Sequence, residues 1–134
     1  MKTRPMLTLE DCKKISAASE AEARKSNWNV CIAILDDGGH LLHLVRMDGA
    51  TPANSRIATE KGRTAAESRR STAMWEERIK AGRHAMLKMP GITPVQGGLP
   101  IVIDGVCIGG VGVSGVQSHE DEQIAKAGID VLKT

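Results

Sequence analysis

Along the first third of the chain, apolar residues recur at helical spacing and then close up into strand-like runs. Leu9, Cys12, Ile15, Ser19 and Ala23 stand three or four apart, with Lys13, Lys14, Glu20, Glu22 and Lys25 elsewhere. That spacing puts a small, apolar stripe on one face of a helix. Thr8 opens it as an N-cap with Asp11 in the capping-box position, and the pattern ends near Ser26 and Asn27. Residues 29–36 are apolar without alternation, as expected of an inner strand covered on both faces. Asp37-Gly-Gly39 reads as a hairpin turn, because these residue types tolerate positive φ. Residues 40–46 are the return strand, and a loop follows to Pro52.

Residues 55–69 predict a middle helix with Ile57, Lys61, Thr64, Ala65 and Ser68 along one face. Ser71 or Thr72 caps a short helix through Trp75 and Ile79 to Gly82. Residues 83–100 read as a long connection of low polarity, and such segments usually lie over something. A second hairpin follows, residues 101–103 and 106–115 around the turn Asp104-Gly105. Ser118 with Asp121 is a further capping pair, opening a last helix that turns Ile124, Ala127, Val131 and Leu132 inward and is still running at Thr134. The order α-β-β-α-α-β-β-α predicts an α+β fold, an antiparallel sheet built from two β-hairpins flanked by helices. One domain spanning residues 1–134 is expected.

Composition narrows the function. Phe and Tyr are absent and Trp28 and Trp75 are the only tryptophans, so the core must be made of Val, Ile, Leu, Met and Ala. Without aromatic platforms for base stacking, and with a net charge of only +2, no nucleic-acid partner is expected. Residues 53–88 carry nine basic and four acidic side chains, which reads either as provision for an anionic ligand or as an exposed helical face. There is no secretory h-region and no apolar run of membrane length. No membrane partner and a cytoplasmic location are therefore expected. Cys12, Cys31 and Cys107 form no Cys-x-x-Cys pair and read as free, mostly buried thiols.

Gly110-Val-Gly-Val-Ser-Gly115 matches a dinucleotide-binding fingerprint, but the second parallel strand with its acidic residue is missing. Close packing of a helix on the strand is the alternative reading, with an anion site at the following helix start left open. Ser114 lacks the last glycine of a nucleophile elbow. His40 and His43 are three apart on a strand and so point to opposite faces; they would not share one metal ion, although either could stand alone as an axial ligand to a haem iron. His84, Met86 and Met89 offer a second ligand group on the long connection. Arg46, Arg56, Lys61 and Arg63 border the second strand and the middle helix, where they could hold carboxylates or pair with Glu60.

With these segments laid out, the sequence resembles the GlcG/HbpS-like family, also called the haem-degrading family, whose module also forms the C-terminal domain of PduO-type proteins. The resemblance runs from about Leu7 to Leu132. It rests on Leu7-Thr-Leu-Glu-Asp11, Ile34-Leu-Asp-Asp-Gly-Gly-His-Leu41, Arg46-Met-Asp-Gly-Ala50 and Ala58-x-x-Lys61-Gly-Arg-Thr-Ala65. Pro90-Gly-Ile-Thr-Pro94, Gly97-Gly-x-Pro100 and Ile108-Gly-Gly-Val-Gly-Val-Ser-Gly115 complete it. Gly62 stands where the family commonly has Ala. The resemblance implies a profilin-like fold, a homo-oligomer, and a small-ligand-binding protein, accessory to a metabolic operon, that takes haem or a related tetrapyrrole. His40 is the first candidate for the haem iron, with His43 and His84 behind it. Arg46, Lys61 and Arg63 are the cations available for the propionates, and Leu, Val, Met and Trp75 are the side chains available to line the slot. The alternative is an enzyme or accessory factor acting on a small hydroxy acid or diol, with Arg46, Asp48, Lys61 and Arg63 as its polar groups.

Overall fold

The structure, a computed structural model, describes residues 1–133. Its elements are α1 (Leu9–Lys25), β1 (Cys31–Asp36), β2 (Leu41–Arg46), α2 (Pro52–Ser68), α3 (Thr72–Lys80), β3 (Gly98–Ile103), β4 (Val106–Ser114) and α4 (Ser118–Asp130), with 3-10 turns at His84–Lys88 and Val131–Lys133. The strands form one antiparallel sheet in the order β2-β1-β4-β3. The two hairpins thus meet along β1 and β4, which leaves β2 and β3 as the edges. α1 and α4 cover one face of the sheet and α2 the other.

Local chemistry accounts for the first half. Thr8 Oγ1 accepts from Asp11 N at 3.1 Å while Thr8 N donates to Asp11 Oδ2 at 2.9 Å, a closed capping box. The Thr8 backbone bond, helped by its side chain, holds the Asp11 carboxyl below its usual range. Along β1 the side chains alternate between two interiors. Ile32 and Ile34 join the cluster under α1 and α4, and Cys31, Ala33 and Leu35 face α2. The unbroken apolar run is explained by this double burial. Cys12 and Cys31 are both fully buried, and burial pushes both thiols up. All three cysteines are free.

β4 alternates differently. Val111 and Val113 fill the α1/α4 side, while Gly110 and Gly112 present bare backbone to α2. A Cβ on Gly112 would collide with the carbonyl oxygen of Ala58, and one on Gly62 would lie 2.9 Å from Gly112 N. The glycine-studded strand is therefore a seat for α2, and Gly62 is the matching notch on the helix.

Several local expectations are corrected. α2 starts at Pro52, not at residue 55, because proline at the first helical position sacrifices no bond. β3 starts at Gly98, not at 101, and pairs there with Gly112. Ser71 precedes α3 without a side-chain cap. The cap of α4 is Gln117, whose N donates to Glu120 Oε1 at 3.1 Å, in place of the expected Ser118–Asp121 pair. α4 buries Ile124, Ala125, Gly128 and Ile129, whereas Val131 is exposed and Ala127 half-buried. Leu9 and Ile57 are exposed too, although the next members of their stripes, Cys12, Ile15, Ser19 and Ala23 on α1 and Lys61, Thr64 and Ala65 on α2, are buried. Thr134 lies outside the described residues.

The long connection does lie over something. Thr93 N donates to the buried Thr64 Oγ1 at 2.9 Å and Gly98 N to the buried Thr72 Oγ1 at 2.9 Å, which ties it to α2 and α3. Trp75 is buried and its Nε1 donates to Ser68 Oγ at 3.2 Å, so it belongs to the α2–α3 contact and lines no open slot.

Candidate functional site

The edge strand β2 carries an uncovered apolar row. Leu41 pairs with Leu35, Leu44 with Ala33 and Arg46 with Cys31. Cross-strand partners share a face, so all three point to the α2 side of the sheet. The register slips at Ile34/Leu35, which leaves Leu42 as the extra residue of a bulge. Leu41, Leu42 and Leu44 are 49%, 39% and 39% exposed.

His40 stands exposed at the head of this row. Asp36 fixes the turn beneath it: its Oδ1 accepts from Gly38 N and from His40 N, each at 2.9 Å. The imidazole lies close over Gly38, with Cδ2 3.3 Å from where a Cβ there would sit. From α2, Arg63 Nε donates to Gly39 O at 3.4 Å, and the same guanidinium pairs with Glu60 at 2.9 Å. Arg63 therefore flanks His40 at one end of the leucines and Arg46 stands at the other. Three residues nominated from the sequence lie along this flank, Arg63 beside His40 and Arg46 at the far end of the row.

The others do not. His43 pairs with Ile34 and so points through the sheet toward α1. There it lines a shallow groove of about 340 Å3 with Lys13, Glu20 and Arg24. Its Nδ1 is buried without a hydrogen-bond partner. His84 is exposed on the 3-10 turn after α3, and Asp48 is exposed in the loop after β2.

Lys61 faces the opposite flank of α2 from Arg63. It is 2% exposed, and its Nζ meets Asp121 Oδ2 at 2.9 Å and donates to Val113 O at 3.0 Å. Asp121 is equally buried, and its Oδ1 accepts from Val116 N at 3.1 Å. Burial raises the Asp121 carboxyl against the pull of Lys61. The sequence reading missed this pair, taking Asp121 for a cap. One signal was available: a cation on the small-residue stripe Ala58, Lys61, Ala65 demands an anion from elsewhere in the core. Among the described residues, no three His, Cys, Asp or Glu converge to hold a metal ion, and no helix is long and apolar enough to cross a membrane.

Fold and flank together define a small α+β sandwich with one apolar, cation-bordered edge. The chain belongs to the family described as haem degrading protein HbpS-like, whose model matches residues 7–130. Protein GlcG of Escherichia coli strain K12 is 49% identical over 114 residues, 85% of each chain. An uncharacterized 15.0 kDa protein from the dhaT-dhaS intergenic region of Citrobacter freundii is 32% identical over 128 residues, 92% of this chain and 90% of that one. Among solved structures, a double mutant of Streptomyces reticuli HbpS superposes with a TM-score of 0.90 at 32% identity, covering 98% of this chain and 90% of that one. A PduOC:heme complex does so with a TM-score of 0.84 at 25% identity, covering 94% of each.

Proposed function

We propose that the protein binds haem or a related tetrapyrrole on the β2 flank, as a cytoplasmic homo-oligomer serving a metabolic operon. The exposed row Leu41, Leu42, Leu44 beside a free imidazole is the observation that carries this reading. Uncovered apolar patches on a small protein mark interaction surfaces, and a flat macrocycle matches one bordered by cations. His40 would face the iron, the leucines the ring, and Arg63, the cation beside His40, the propionates, which leave one edge of the macrocycle together; Arg46 stands at the far end of the row. The iron would supply redox chemistry when bound. The family membership and the haem complex of one relative support the same ligand class.

His40 is preferred to His43 on chemical grounds. An imidazole that ligates through Nε2 carries its proton on Nδ1 and needs an acceptor there, and the buried Nδ1 of His43 has none. The open flank covers only one side of a macrocycle, so a second copy of the chain would cover the other.

Titration of haemin followed at the Soret band tests the reading. A saturable shift is expected, weakened at least tenfold by His40→Ala and by Leu44→Glu and unchanged by His43→Ala. Absence of saturation, or a shift indifferent to both the His40 and Leu44 changes, would overturn it.

A further inference from the structure

A separate cavity of about 460 Å3 opens between the first turn of α2, the end of β4 and the first turn of α4. Its floor is the Lys61–Asp121 pair, its polar wall includes Asn54 and Ser114, and Ile57 and Val95 give it an apolar side. Two of the three Lys61 N–H donors are engaged, by Val113 O and Asp121 Oδ2, which leaves the third for an occupant of the cavity that Lys61 lines. Asn54 is held in one orientation: its Oδ1 accepts from Ser114 Oγ at 2.8 Å and its Nδ2 donates to Thr51 Oγ1 at 2.9 Å. That arrangement leaves a lone pair of the Ser114 oxygen and one Asn54 N–H uncommitted beside the cavity that both residues line. The 17-residue α2 begins beside this wall with no side-chain cap and no acidic residue in its first turn, so its positive end is uncompensated.

We propose that this cavity binds a short-chain monocarboxylate, its oxygens on Lys61 Nζ and Asn54 Nδ2 and its carbon chain against Ile57 and Val95. Charge decides between carboxylate and phosphate. Asp121 already shares the ammonium, so a dianion would bring three negative charges to one buried cation, whereas a monoanion brings two. No arginine lines the cavity, so the forked donor set favoured by phosphate is missing. None of the residues of the β2 flank lines this cavity, which makes the site independent of that flank.

Calorimetric titration of the intact protein with acetate, propanoate, butanoate, propanamide and inorganic phosphate tests the assignment. Propanoate or butanoate should saturate with a millimolar or lower Kd, with propanamide and phosphate at least tenfold weaker. Val95→Trp, a change at a half-open position that leaves the ion pair in place, should abolish carboxylate binding and leave the haemin titration unaltered. Asn54→Ala should weaken it about fivefold. Equal binding of propanamide, tighter binding of phosphate, indifference to Val95→Trp, or no saturation by any acid would overturn the proposal.

Discussion

Gly112 has no side chain because the Ala58 carbonyl occupies the place a Cβ would take. Backbone on both sides of the contact leaves nothing flexible to yield, so Gly112→Ala must lift α2 off the sheet. A loss of at least about 3 kcal/mol is expected from such overpacking, read as a lower midpoint in urea. Gly105, in the β3–β4 turn, makes the control: a Cβ there meets nothing within 4 Å, although its φ of +77° strains any L-residue. Gly105→Ala should cost about 1 kcal/mol, the conformational penalty alone. The ordering of the two variants separates contact from conformation.

At the scale of elements, the Lys61–Asp121 pair joins α2 to α4 across the end of β4. Lys61→Met strands a buried carboxylate and should cost about 3–5 kcal/mol, whereas Lys61→Met with Asp121→Leu should recover most of that loss. Thermal melts of these two variants and of Asp121→Leu alone measure the coupling. The pH dependence follows from the direction of the shift. A carboxyl whose pKa is raised by folding stabilises the fold below its ordinary value, 3.8 for Asp121, and that contribution is lost as pH rises through the folded pKa. Without Lys61 the carboxyl is raised further, so the deficit of Lys61→Met should deepen as pH rises through the wild-type folded pKa of Asp121, which lies above 3.8. Elements themselves were legible wherever the cause was local: the Thr8 cap, the doubly covered β1, the Asp-Gly-Gly turn. Asp121 was not, because its role depends on a lysine sixty residues away that only the packed fold brings within reach. The same holds for the start of β3, where pairing with Gly112 recruits a Gly-Leu-Pro stretch with little strand character of its own.

Across the whole molecule, the pairing order β2-β1-β4-β3 leaves β2 at the margin, and its leucines are uncovered for that reason. Their apolar character could be read in the sequence, but their exposure could not, since it depends on which hairpin strand becomes central. That placement also brings Arg46 and Arg63 to opposite ends of one row, while His43 and Lys61, equally conspicuous in the sequence, face other parts of the molecule. If a second copy seals this margin, light scattering should return a multiple of the 14.3 kDa chain mass, and Leu44→Glu should return a single chain with unchanged circular dichroism. A wild-type monomer would leave the β2 flank open and remove the homo-oligomer from the reading.

The two sealed thiols, Cys12 on the buried face of α1 and Cys31 beneath α2, make the protein its own opening gauge. Neither can react with an alkylating reagent until the layer above it lifts, and each sits under a different layer. Timed exposure to iodoacetamide followed by peptide mass mapping would therefore reveal which side of the sandwich breathes first. Ligand capture at one edge should slow one of the two clocks more than the other.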